Sequence, residues 1–170
     1  HSVVYGFFGL MVIVPLIREV FGVSGSSMLA ASIILGVMIL PTIIAISESA
    51  LNAVPESYYE GALALGATHE RAVFKIILPA AKSGVTASVI LGVGRAIGEA
   101  MAVMMVAGNQ ATMPEGILKG VRTLTSNIVM EMGYATDLHR EALIATAVVL
   151  FVFILITNLL FSVLKRRAKV

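Results

Sequence analysis

An arginine and a glutamate four residues apart, Arg95 and Glu99, stand inside an apolar run from Ser83 to Ala107. On a helix that spacing puts both on one face. Arginine keeps its proton at any ordinary pH, and its planar fork of donors suits two oxygens of a tetrahedral oxyanion. A glutamate beside it holds the guanidinium when no anion is present. A charge at the centre of a bilayer costs at least about 2.5–3.5 kcal/mol, so both side chains should face a protein interior or a water-filled cavity. Two roles fit the pair. One is exchange, in which a passing anion displaces Glu99 from Arg95. The other is a static ion pair that staples spans together.

A second set of residues suits recognition rather than chemistry. Glu56–Pro79 is a long polar interruption with its own helical punctuation. Pro55 suits the start of a helix, where its missing N–H is not needed. Gly66 suits a left-handed cap near Leu65. Thr68 suits the N-cap of a second helix over His69–Ile77, closed by Pro79. The stretch reads as a docking element for a soluble partner, or as paired amphipathic helices lying on a membrane surface. Other chemistries have no residues to carry them. There is no cysteine, hence no disulfide, thiolate ligand or thiol nucleophile. His69 and His139 have no companions at metal-ligand spacing. No GxxxxGK[ST] loop is present, and no nucleophile stands beside a base, so an enzyme is not indicated.

These residues sit in a chain too apolar for water. Of its 170 residues, 58% are hydrophobic and 13% charged, with a net charge of +2, against roughly 25% charged residues in soluble domains. The mean hydropathy is +0.97. Lipid is the natural solvent for this composition, and the small net charge suggests no nucleic-acid partner. A span needs about 20 mostly apolar residues. Val3–Ile17 provides a short run ending near Pro15, Met28–Ile46 a strong one holding Pro41, Ser83–Ala107 a third and Ala142–Leu164 a fourth. Gly94 and Gly98 have the small-residue spacing that lets helices approach closely. The expected fold is an all-α integral membrane protein of about four transmembrane helices with cytoplasmic coupling helices. Residues 1–170 read as a single membrane domain. It opens on His1 rather than methionine, as a fragment or processed chain would.

Lysine and arginine set the orientation. One side holds Arg71, Lys75, Lys82, Lys165, Arg166, Arg167 and Lys169, and the other Arg18, Lys119, Arg122 and Arg140. The richer side should be cytoplasmic. That places residues 56–79 and the carboxyl terminus inside and makes residues 108–140 an external loop. Within this loop Ile117–Met132 has room for a short helix. Its Lys119, Arg122 and Arg140 fit a solvated face better than an anion receptor, and Thr123, Thr125 and Asn127 are candidates to line an entrance.

The cytoplasmic stretch resembles the EAA signature of bacterial ABC importer permeases. Glu60-Gly61-Ala62 is followed by Gly66 and then by Ile76, Leu78 and Pro79 at the spacing of that signature, with Gly61 where the family has alanine. The strings GVGRAIGEAMAVMMVAGN (Gly92–Asn109), TLTSNIVMEMGYA (Thr123–Ala135) and VYGFFGL (Val4–Leu10) are similar to the PstC-type permeases of phosphate-specific importers. The resemblance implies the carboxyl-terminal part of a six-helix type I permease, multi-pass in the bacterial inner membrane. Arg95 and Glu99 would line the path of inorganic phosphate, and Glu60, Gly61, Ala62, Gly66, Ile76, Leu78 and Pro79 would seat an ATPase. In that seat Glu60 would meet basic groups, Ala62 and Gly66 would keep the contact thin, and Phe74, Ile76 and Ile77 would anchor the second helix to the permease. The implied partners are a PstA-like second permease, a cytoplasmic ATPase dimer, an external phosphate-binding protein and the lipid bilayer. No cofactor or metal is implied. Electrostatics alone leaves molybdate or sulfate as the cargo, and a non-transporting scaffold or signalling subunit stands as the other class.

Overall fold

The computed structural model describes residues 2–167, and side chains through Val163. Helices account for the described secondary structure apart from one isolated bridge between Gly108 and Val121. In chain order α1 is Ser2–Phe21, α2 Met28–Asn52, α3 Glu56–Ala64, α4 His69–Ala80, α5 Lys82–Ile97, α6 Met101–Val106, α7 Leu124–Glu131 and α8 Asp137–Arg167. Three are long and apolar enough to cross a membrane. These are α1 with mean hydropathy 1.9, α2 with 2.6, and Asp137–Val163 of α8 with 2.7. Taken together, α4 and α5 have the length and composition of a fourth span, bent by 67°.

Two of the expected spans differ. The short amino-terminal run is extended to Phe21 by a polar last turn holding Arg18 and Glu19. The third expected span, Ser83–Ala107, is not one helix. It stops at Ile97 and restarts at Met101. The 16 residues of α5 reach about 24 Å at 1.5 Å per residue, short of a hydrocarbon core of about 30 Å.

Two prolines leave the same local mark. Pro15 and Pro79 have no N–H to return to the preceding turn. Before each the helix widens to a π-turn, over Gly9–Ile13 and Val73–Ile77. The next residue bonds five positions back, Val14 N–H to the Gly9 carbonyl and Leu78 N–H to the Val73 carbonyl. Such wide turns absorb the break in the ladder. Pro79 therefore does not close the second helix of the polar stretch, which runs on to Ala80. Pro41 sits inside α2 without ending it.

The chain divides into two compact units. The first comprises residues 2–39 with Arg95–Ile156. Its core joins Val14 and Ile17 of α1, Ala30, Ala31 and Ile34 of α2, and Ala102, Val103, Val106 and Ala107 in and after α6. Two glycines make this approach possible. A Cβ on Gly6 would lie 2.6 Å from the Met105 sulfur, and one on Gly9 would lie 2.6 Å from Ile34 Cγ1 and 2.8 Å from Val106 Cγ1. The segment after α6 folds over the start of α2. Lys119 and Ile117 offer their carbonyls to Met28 N–H and Leu29 N–H, while Ser27 Oγ accepts from Ala30 N–H. The first-turn donors of α2 are thereby satisfied.

The second unit comprises Leu40–Gly94 and the chain from Thr157. In it Gly84 approaches Ala50 so closely that a Cβ would lie 2.5 Å from the alanine methyl. The Ser47 and Ser88 hydroxyls meet at 2.7 Å, and Ser88 Oγ also donates to the Val85 carbonyl. A buried hydroxyl between apolar helices is paired in this way because an unpaired one costs free energy.

Candidate functional site

The pair expected to share a helix face is separated by the stop in the helix. Arg95 lies on the last turn of α5, exposed and without an ion pair among the described residues. Glu99 lies in the three-residue gap before α6. Its Oε1 accepts the Ala102 N–H at 3.1 Å, and its Oε2 accepts the Ser2 hydroxyl at 2.9 Å. Glu99 is therefore a cap on α6 and a tie to α1, not the resting partner of Arg95. The reason is local. The helix α5 stops at Ile97, and the first amides of α6, which starts at Met101, then need an acceptor. A carboxylate supplies one and also favours the positive end of a helix. An exchange in which an anion displaces Glu99 from Arg95 does not fit this geometry. Gly94, the first member of the small-residue pair, has no atom within 4 Å of a Cβ built on it.

The gap draws a second set of hydroxyls. Thr125 Oγ1 donates to the Glu99 carbonyl at 3.2 Å, and Ser126 Oγ donates to the Ala100 carbonyl at 3.5 Å. Thr123 Oγ1 lies 3.0 Å from Thr125 Oγ1 and 2.9 Å from Ser126 Oγ, and it caps α7 by accepting the Ser126 N–H. Thr125 and Ser126 are buried. The entrance expected at Thr123 and Thr125 is instead a buried polar knot. Sequence reasoning missed its function, although Thr123 before an apolar run carries the signal of an N-cap.

Beyond α7, Arg122 donates to the Asn109 carbonyl at 3.0 Å, to Asn127 Oδ1 at 3.3 Å and to Glu131 Oε1 at 2.9 Å. His139 Nε2 lies 3.3 Å from the other Glu131 oxygen. Tyr134 stacks edge-on to His139 with centroids 6.4 Å apart. Hydrogen bonding to the Glu131 carboxylate holds the Tyr134 phenol above its ordinary pKa, with Arg122 opposing. So Arg122 is a clasp on α7 rather than part of a solvated face, and His139 is not isolated. The last helix starts at Asp137, inside the stretch expected to be loop.

The second unit carries the docking candidates. Pro55 is the N-cap of α3, and α3 ends at Ala64. Gly66 then takes φ +81°, with Ala67 N–H on the Ala62 carbonyl and Gly66 N–H on the Leu63 carbonyl. This double bond pattern is a Schellman cap, which needs a left-handed residue at the Gly66 position. Thr68 caps α4 by accepting the Arg71 N–H. The rings of Tyr59 and His69 meet edge-on at 5.7 Å, and Tyr59 Oη lies 2.8 Å from His69 Nδ1. Glu60, Gly61, Leu78 and Pro79 are exposed, and Ile76 is half-buried. Two expectations are overturned. Ala62 is buried, so it serves the packing of its own unit instead of thinning an outer contact. Phe74 is 64% exposed, so it does not anchor α4 inward. Leu65 is 92% exposed at the tip of the turn. Among the described residues no group of acidic, histidine or cysteine side chains could hold a metal ion.

The sequence matches the family described as binding-protein-dependent transport system inner membrane component over residues 2–170. The chain belongs to this family. It is a membrane component, in keeping with its apolar helices. It is 44% identical over 173 residues to a probable ABC transporter permease protein, YqgH, of Bacillus subtilis, covering 99% of this chain and 56% of that protein. It is 32% identical over 182 residues to the phosphate transport system permease protein PstC of Pasteurella multocida, covering 95% of this chain and 56% of that protein. It is 33% identical over 171 residues to the protein of the same name from Haemophilus influenzae, covering 89% and 54%. The chain thus spans about half the length of these curated relatives. No solved structure matches it.

Proposed function

We propose that this chain forms part of the translocation pathway of an ATP-driven importer of inorganic phosphate and docks a separate ATPase. The observation that carries this reading is Arg95, a permanently charged, exposed guanidinium without an ion-pair partner among the described residues, at the end of an apolar helix in a family of transport membrane components. A cation left unpaired at the edge of an apolar segment is costly unless something anionic or aqueous meets it. Several relatives are named as phosphate transport permeases, which favours phosphate over sulfate or molybdate.

In this mechanism Arg95 receives the anion through its forked donors. Glu99 contributes by capping α6 and so fixing the gap that follows Arg95. The exposed edge of α3 and α4, with Glu60, Gly61, Gly66, Leu78 and Pro79, faces the cytoplasm and seats the ATPase, with Leu65 and Phe74 as apolar contacts. The buried Ala62 and half-buried Ile76 support that seat from within. Residues 108–140 and α7 face the outside, where an external phosphate-binding protein delivers the anion. The carboxyl terminus is cytoplasmic, in line with the bias of lysine and arginine. A PstA-like second permease covers apolar helix faces that this chain leaves open. ATP hydrolysis belongs to the separate ATPase dimer.

Replacing Arg95 tests the reading. In the full-length chain, Arg95→Gln is expected to abolish phosphate uptake while the complex still assembles in the membrane. Normal flux in that variant contradicts the pathway role.

A further inference from the structure

The gap between α5 and α6 is held open by side chains from elsewhere in the sequence. The first backbone bond of α6 is Met104 N–H to the Ala100 carbonyl. The Glu99 carbonyl, one residue earlier, is met by Thr125 Oγ1 at 3.2 Å. We propose that Thr125, with Ser126 beside it, is a positioning residue for transport: its hydroxyl fixes the Gly98–Ala100 gap and thereby sets how Arg95 and Glu99 are presented. This inference rests on the transport reading above.

The geometry gives the hydroxyl a task that packing alone would not. If Thr125 released the Glu99 carbonyl, that carbonyl would be a free acceptor inside an apolar segment. The cheapest remedy is for the chain to rewind, so that a residue of α6 donates to it and α5 and α6 approach one helix. Rewinding would also take Glu99 away from Ala102 N–H and Ser2, and turn it toward the face of Arg95 four residues earlier. Thr125 therefore separates two arrangements. In one, Glu99 caps α6 and Arg95 is free for an anion. In the other, Glu99 is available to Arg95. Thr125 is itself held firmly. It lies in the first turn of α7, whose N-cap is Thr123 and whose flank is clasped by Arg122 to Asn127 and Glu131. Ser126 reinforces the same gap from a longer distance, 3.5 Å.

Thr125→Val keeps the branched shape and removes the hydroxyl, and Thr125→Ser keeps the hydroxyl. Both are made in the full-length chain within its assembled membrane complex. Two quantities are read: amide hydrogen exchange over residues 98–106, and uptake of inorganic phosphate across a range of concentrations. Losing one such bond corresponds to a roughly three- to tenfold change in a local opening equilibrium. Thr125→Val is expected to change exchange in this segment by about that factor and to lower the maximal uptake rate with the half-saturating phosphate concentration unchanged. Thr125→Ser restores both. Ser126→Ala, as a second variant, changes exchange in the same direction by less. Unchanged exchange in Thr125→Val overturns the hold on the gap. Changed exchange with normal uptake overturns the positioning role, and so does a loss that serine does not rescue. If the unsubstituted complex takes up no phosphate, the transport reading falls, while the exchange measurement still decides whether the hydroxyl holds the gap.

Discussion

At the scale of single residues, the close contacts of this chain depend on side chains that are missing as much as on those present. Gly9 admits α1 to both Ile34 and Val106, each nearer than 3 Å to the position a Cβ would take. A methyl there must push apart two fully buried side chains. Overpacking of this kind costs about 1–3 kcal/mol. Gly9→Ala is therefore expected to lower the midpoint of thermal unfolding of the assembled complex in detergent, and an unchanged midpoint contradicts the packing described. Gly6 and Gly9 fall within the string Val4–Leu10 that supported the family resemblance. The sequence carried the glycines, but nothing in it said which neighbours they admit. The fate of Glu99 was hidden for the same reason. Its four-residue spacing from Arg95 was legible, whereas its real partners, Ser2 and the Ala102 amide, come from a distant residue and from a helix start that periodicity did not mark.

At the scale of elements, local punctuation was the most readable feature. Thr68 caps α4 and Gly66 closes α3 as their residue types suggest. Both are decided by backbone geometry within a few residues, which sequence spacing encodes directly. The split of the expected Ser83–Ala107 span was not legible, because its apolar content continues across the gap while the hydroxyls that stabilise the gap lie at Thr125 and Ser126. Ala62 and Phe74 failed in a related way. Spacing gives the face of a helix, but not whether that face meets its own unit or the outside. Gly66 offers the test at this scale. Its φ of +81° is costly for a branched residue, by roughly 1–2 kcal/mol. Gly66→Val is expected to distort the turn that presents Leu65, so that phosphate no longer stimulates ATP hydrolysis although the ATPase retains its basal rate. Normal stimulation in this variant contradicts docking through the turn.

At the scale of the whole molecule, composition alone points to lipid, and the exposed apolar side chains of the long helices agree with it. Large apolar side chains on α1, α2 and α8 are exposed, among them Phe7, Leu40, Phe151 and Leu159. Within hydrocarbon such faces need no cover, while the backbone remains satisfied inside helices. The two units divide the proposed work. One carries Arg95 and the Gly98–Ala100 gap, and the other carries α3 and α4. On the proposed reading, anion arrival at one unit must be joined to ATP hydrolysis at a partner seated on the other. The most direct measurement is ATP hydrolysis by the complete complex in vesicles, supplied with its binding protein and inorganic phosphate, with sulfate and molybdate in parallel. Stimulation by phosphate alone, lost in Arg95→Gln, is the expected result. Stimulation by sulfate or molybdate instead, or a response to phosphate that survives Arg95→Gln, contradicts a phosphate pathway through this chain.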